Sequence, residues 1–334
     1  VLAVFLGQEL IDSGVGKLPC GWVVPGCKIP TRWAVVPVGD KVRHVGDSVA
    51  IVVAESAYIA EDAVEAIEVD YETLPAVIGA QRATESGQAS VHDDIPDNVS
   101  YTWALGDKDG TAGALKNAAK VIKLDLTNQR LIPNAMEPRA AVAQWNAATE
   151  DMTVWTTSQN PHPIRLLLSA FTLGIPEHKL RVISPDVGGG FGSKIIHYPE
   201  EIITPWVARK INRPCKWVAT RSESFMTDSQ GRDHVSHAEM ALDANGRITG
   251  LLVQTWADNG AYLSTFAPLI PTAFYICLLS GLYKIPHIYG EMWGTLTNTV
   301  PVDAYRGAGR PEAAYLVERL VDLAAREMKM DPIE

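Results

Sequence analysis

Two rhythms of apolar and polar positions divide the chain. Within residues 42–77, VGDSVAIVVA reads as a strand behind a turn, and Ser56 is placed to cap a helix over 57–66. IEVDY then returns as a strand that Pro75 ends, which makes a compact β-α-β unit. From Gly79 to Gly113, Ser, Gly, Asp, Asn and Pro accumulate and the apolar period fades, as expected of a linker.

A second region follows. VIKLDLTNQRL, RAAVAQWN and DMTVWTTS alternate as strands. Residues 160–173 enter a helix through Pro161 and Pro163, and LRVISPDV runs as a strand into a glycine cluster. KWVATRS, the long stretch from HVSHAEMAL to NGAYL, and GEMWGTLTN predict antiparallel strands, with Asn245-Gly246 as a hairpin turn. The last element is a helix over 311–329, with Leu316, Leu320, Leu323 and Met328 on one face. The expected fold class is α+β: a first α/β unit over 1–80, a linker over 81–112, and a larger mixed α+β domain over 113–334.

Composition sets limits on this picture. With 334 residues, 47% of them hydrophobic and 20% charged, the chain can bury a sizeable core. A net charge of −10 argues against a nucleic-acid surface, which needs a basic face to neutralise phosphates. The four cysteines form no CxxC pair, so no zinc site or iron–sulfur cluster is expected from this chain alone, and free thiols fit a reducing, cytoplasmic compartment. TAFYICLLSGLY is too short to span a bilayer and reads as core. The chain opens at Val1 without Met and stops directly after a strong helix, so it is expected to be a piece of a longer protein.

Three segments could carry chemistry. The cluster Gly188-Gly189-Gly190-Phe191-Gly192-Ser193-Lys194 lets backbone approach a ligand closely. It lacks the third glycine of a dinucleotide fingerprint and the Gly-Lys-Ser/Thr of a phosphate loop, so a nucleotide site, a tight turn and another kind of cofactor loop all stay open. Asp303-Ala304-Tyr305-Arg306-Gly307-Ala308-Gly309-Arg310-Pro311-Glu312 leads into the last helix; its guanidinium and amide donors suit an anionic or oxygen-rich ligand, and a capped surface loop is the alternative. Thr156-Thr157-Ser158-Gln159-Asn160-Pro161-His162-Pro163 is a strand end entering a helix, where Gln159 is either a structural residue or a site residue and His162 belongs at the surface.

In this order, TTSQNPH, DVGGGFGSK and AYRGAGRPEAAY resemble the large, molybdopterin-binding subunit of the xanthine dehydrogenase and aerobic carbon monoxide dehydrogenase family of molybdenum hydroxylases. VRHVGDSVAIVVAESAYIAEDAVEAIEVDYETLPAV resembles that family's hammerhead α/β domain, here truncated. The resemblance implies a molybdenum ion on a pterin, with the cytosine dinucleotide as a candidate form. Gln159 would lie near the metal's oxo group, with Gly189, Gly190, Phe191, Gly192, Arg306, Gly307 and Ala308 against the cofactor. It further implies hydroxylation of a carbon centre of a small-molecule substrate with water as oxygen source. Electrons would leave to an iron–sulfur [2Fe-2S] small subunit and an FAD-binding medium subunit, in a dimer of heterotrimers.

Two positions depart from particular branches. Copper-containing carbon monoxide dehydrogenases carry Cys where Gly307 stands, so the loop is of the Gly type and copper is not expected. Xanthine-type members carry Glu where Ile195 follows Lys194, so purine oxidation is not expected. The family's catalytic base would lie beyond Glu334, which leaves this chain without a catalytic residue of its own and inactive by itself. A nucleotide-binding enzyme and a non-catalytic assembly module are the alternatives.

Overall fold

The computed structural model describes residues 1–333. At the amino end, β1 (Ala3–Leu6) runs into α1 (Gly7–Asp12), and β1 pairs antiparallel with β2 (Ala50–Val53), which is followed by α2 (Ala57–Glu65). Ser56 caps α2 as the sequence predicts, its hydroxyl accepting from the Ile59 amide. IEVDY forms no strand: the free edge of β2 is not joined by it, and Val69 and Tyr71 are exposed. Alternation alone does not make a strand; a ladder partner must take up its backbone groups.

Two sheets follow. β3 (Val99–Gly106), α3 (Lys108–Asn117) and β4 (Lys120–Asn128) open the first. The chain then leaves to build the second from β5 (Ala140–Asn146), β6 (Asp151–Thr156), β7 (Leu180–Ile183) and β8 (Cys215–Val218), in the order β7-β6-β5-β8. α4 (Pro161–Leu167) sits between β6 and β7, and α5 (Pro199–Ile211) between β7 and β8; α6 (Arg221–Thr227) follows β8. It then returns with β9 (His234–Leu242), β10 (Ile248–Asp258) and β11 (His287–Thr295), completing a five-stranded sheet β3-β11-β10-β9-β4, and ends in α7 (Arg310–Met328).

The stretch expected as a linker thus holds a 3-10 turn at Arg82–Thr84 and the edge strand β3, so the sheet of the second region starts before residue 113. Three consecutive outer residues of β3 are exposed, which hides the period of two expected of a half-buried strand. β9 and β10 form the expected Asn-Gly hairpin, with Asp243 Oδ1 accepting from the amides of Asn245 and Arg247. β11 departs from expectation by pairing parallel to β10, because residues 259–286 provide a long crossover between them. KWVATRS splits into β8 and α6: Thr220 Oγ1 accepts from the Glu223 amide while Glu223 Oε2 accepts from the Thr220 amide, a capping box that starts a helix.

Packing joins all the parts. Leu316, Val317, Leu320 and Ala324 of α7 bury against Ile122, Met240, Leu251 and Met292 of the five-stranded sheet, with Tyr275, Ile276 and Leu279 of TAFYICLLSGLY in the same core. β1, α1 and β2 share a second core with the four-stranded sheet and α5, where Phe5 meets Trp206 edge-on at 4.9 Å. Among the described residues no helix is long and apolar enough to cross a membrane.

Candidate cofactor site

The three segments singled out in the sequence meet. β6 ends at Thr156, and the chain leaves it held by a Thr157 amide bond to the Ala140 carbonyl. Two residues on, the Gln159 amide donates to the Lys194 carbonyl at 2.8 Å and Gln159 Oε1 accepts from the Gly192 amide at 2.9 Å. With the side-chain oxygen committed to the loop, the NH2 end of Gln159 is the end left for a ligand. A Cβ at Gly190 would lie 2.4 Å from Gln159 Oε1, and one at Gly192 would lie 2.4 Å from the Ala304 carbonyl oxygen. Gly192 also sits at φ +104°. The glycines therefore let the loop backbone lie against the Gln159 side chain on one side and the Ala304 backbone on the other.

Phe191 takes a left-handed backbone, φ 54°, and its ring is 43% exposed. That conformation turns its carbonyl to the Arg306 amide, which donates to it at 2.8 Å. The 306–309 turn is itself tight: the Ala308 amide donates to the Tyr305 carbonyl at 2.7 Å, with Ala308 at φ 45°. Arg306 is exposed and makes no ion pair among the described residues. Arg310 does not join it: its guanidinium folds back on the Gly307 carbonyl at 3.3 Å and over the Phe274 ring at 4.4 Å. The amides of Gly190, Phe191 and Gly307 take no backbone carbonyl among the described residues. Gly189 carries the turn into the loop at φ +94°. His162 is exposed, as expected.

Beneath these groups lie supports whose role the sequence does not show. Lys194, 3% exposed, donates from Nζ to the Glu137 carbonyl and to Glu137 Oε2, and the same carboxylate accepts from the Gly188 amide at 2.7 Å. Burial pushes the Glu137 carboxyl up, but Lys194 and the Gly188 amide more than offset it and hold it below its ordinary value. Buried Arg139 pairs with Glu200 at 2.8 Å and Asp228 at 2.6 Å and stacks on Tyr198 at 3.7 Å. Burial works against its charge, and the facing carboxylates outweigh it and raise its pKa. Tyr198 in turn donates to the Ser193 carbonyl at 2.7 Å. Glu200-Glu201 after a proline marks the first turn of α5 in the sequence, but nothing local says that Glu200 reaches an arginine 61 residues earlier.

The nucleotide readings of the glycine cluster fare poorly. After Gly192 comes a three-residue 3-10 turn, Ser193–Ile195, and the next α-helix begins at Pro199. A dinucleotide or phosphate loop delivers its amides at an α-helix N-terminus directly after the glycines. The donors that lie together here are backbone amides and the NH2 end of Gln159, with the exposed Arg306 on the adjoining turn; such a set suits oxygen atoms of a large anionic group.

The chain is similar to known proteins along its length. Residues 91–334 match the molybdopterin cofactor-binding domain, and residues 26–75 match the aldehyde oxidase and xanthine dehydrogenase a/b hammerhead domain. The chain is 37% identical over 317 residues to the carbon monoxide dehydrogenase large chain of Hydrogenophaga pseudoflava, covering 90% of this chain and 39% of that one. It is 33% identical over 328 residues to the nicotine 6-hydroxylase large subunit of Paenarthrobacter nicotinovorans, covering 97% and 39%. Quinoline 2-oxidoreductase from Pseudomonas putida 86 superposes with a TM-score of 0.91 at 31% identity, covering 99% of this chain and 41% of that one. The chain spans about two fifths of the length of these relatives.

Proposed function

The chain belongs to the molybdopterin-binding large-chain family of the xanthine and carbon monoxide dehydrogenases, and on that premise we propose that it is the cofactor-binding part of a molybdenum-dependent oxidoreductase that hydroxylates a carbon centre with water as the oxygen source. The observation that carries this reading is the meeting of Gln159, the 189–192 loop and the 306–308 turn on one surface.

The residues fit such a group. Gln159 Nε2, the Gly190 and Phe191 amides and the Arg306 guanidinium are donors for its oxo and phosphate oxygens. Gly189, Gly192 and Gly307 take the positive φ that the two turns require, Ala308 closes the second turn, and the exposed Phe191 side chain gives an apolar wall. A donor set of amides and guanidinium, without a thiolate or imidazole among them, suits a metal that brings its own organic ligand. When bound, the cofactor supplies the oxygen-transfer and two-electron chemistry. This chain's residues bind and orient it; a proton-accepting side chain for the substrate would come from elsewhere in the longer protein.

Gly307 offers no thiolate, so copper(I) has no ligand at that position, and the reading favours an aldehyde-type carbonyl carbon or an N-heterocycle carbon over carbon monoxide at a copper site. Ile195 after Lys194 leaves no carboxylate there for a purine. The pterin would be the cytosine dinucleotide form. Electrons would pass to a [2Fe-2S] small subunit and an FAD-binding medium subunit in a cytoplasmic dimer of heterotrimers, since this chain has no cysteine spacing for a cluster.

The test is metal and pterin analysis of the full-length protein purified with its partner subunits. About one molybdenum and one pterin per chain, with copper at background, is the expected result. A folded, complete complex with neither molybdenum nor pterin overturns the reading.

A further inference from the structure

Beneath the 305–308 turn lies a buried arginine that none of the three motifs contains. Arg232 Nη2 donates to the Arg306 carbonyl at 2.8 Å, and Nη1 donates to Glu312 Oε1 at 2.9 Å and approaches the Tyr305 carbonyl at 3.5 Å. Its guanidinium also lies over the Tyr305 ring at 4.7 Å. One fork thus holds the turn at two carbonyls and an aromatic face, and ties it to the first turn of α7 through Glu312.

The setting is specific. Glu312 is 2% exposed, and its Oε2 has no hydrogen-bond partner. Arg232 is its ion-pair partner among the described residues. Arg232 and Asp233 both have left-handed backbones, φ 68° and 66°, an unfavourable conformation for two consecutive side-chain-bearing residues. Asp233 is held there by Arg130 Nε at 2.6 Å. A Cβ at Gly231 would lie 2.2 Å from Tyr305 Cβ, so the support is pressed directly against the turn. The neighbouring Gln230 amide and carbonyl bond to the Pro301 carbonyl and the Asp303 amide, which fixes the approach to the turn from the other side.

We propose that Arg232 is a positioning residue: through its fork it fixes the 305–308 turn against the 190–192 loop and so sets the height of Arg306 at the cofactor surface. The proposal rests on the cofactor reading for its consequence, but its geometry can be read independently. A fork is required because three acceptors in different directions share one cation, which a lysine ammonium on a flexible stem cannot hold in a fixed plane.

The experiment uses the full-length protein in its complex. Amide hydrogen exchange is followed across residues 304–309, alongside thermal melting and molybdenum and pterin content. Arg232→Met with Glu312→Met removes both buried charges together, so melting stays near wild type while the turn loses its clamp. The expected result is exchange in 304–309 faster on the order of tenfold and cofactor content lower by about tenfold. Arg232→Lys keeps the charge opposite Glu312 and serves as a second variant if the double variant does not fold. It is expected to melt near wild type and still exchange faster at the turn. If either folded variant keeps wild-type exchange and wild-type cofactor content, the residue is a charge balance and the proposal falls. If the wild-type complex carries no cofactor while exchange at the turn still rises in the variants, the cofactor reading fails and the positioning role stands.

Discussion

The Phe191 carbonyl accepts the Arg306 amide at 2.8 Å, joining two segments that are more than a hundred residues apart in sequence. That bond ties the glycine loop to the arginine turn. The Gln159 oxygen on the Gly192 amide adds the third segment to it.

Gly190→Ala should act mainly on Gln159. The new Cβ would press on the end of a side chain 2.4 Å away, and a side chain can swing aside. Stability should fall by about 1–3 kcal/mol, while cofactor content falls more steeply because the glutamine amide is re-aimed. Chemical denaturation and metal analysis of the same preparations check both.

Gly192→Ala should be worse for folding. Its Cβ would meet the Ala304 carbonyl, which is backbone, at a φ of +104°. Strain and overpacking together predict a loss of about 2–5 kcal/mol. Gly87→Ala is the control: φ is +86° with nothing within 4 Å, so it carries conformational strain alone, about 1–2 kcal/mol. Equal losses at both positions would refute the close contact.

Arg139→Met leaves Glu200 and Asp228 facing each other in a buried site. A loss of about 3–5 kcal/mol is expected, because an uncompensated buried charge costs more than the pair contributes. Arg139→Lys should recover part of it, since one ammonium cannot serve both carboxylates and stack on Tyr198 in the same way. Urea unfolding midpoints of the two variants rank them.

Glu137 gives a pH dependence with a definite sign. Its folded pKa lies below the ordinary 4.5, so it contributes stability that is fully present above 4.5 and is lost as the pH falls through the lower folded value. Glu137→Gln should therefore melt below wild type at neutral pH and converge with it in acid. A gap that stays constant between pH 7 and pH 3 would show that Lys194 does not rely on the carboxylate charge.

How much of this was legible in the sequence follows from the range of the interactions. The 3.6-residue spacing of Leu316 and Leu320 and the Asn245-Gly246 turn are local, and both elements lie where they were expected. The three motifs were legible as segments, because glycine density and a guanidinium beside it have few cheap explanations. Their meeting was not, since no local pattern reports that Arg306 lies against Phe191. The sequence predicts β11 as antiparallel to its neighbour, and it pairs parallel to β10 because direction depends on where residues 259–286 travel, which no local pattern reports. α5 escaped because Pro205 sits inside it and prolines usually end helices. Lys194 beside the glycines resembles a phosphate-loop lysine in sequence, whereas it is buried on Glu137. IEVDY had the right alternation and lacked a neighbour.

The order of strands also sets a timetable. β4 must wait for β9 as its partner, and the whole four-stranded sheet is synthesised between them. β3 waits longer still, for β11. The glycine loop hangs from the inserted sheet and the arginine turn follows β11, so the two can touch only after both sheets have closed. Long-range closure of this kind is slow. The surface where the glycine loop meets the arginine turn is thus assembled late, once strands far apart in the chain have found each other.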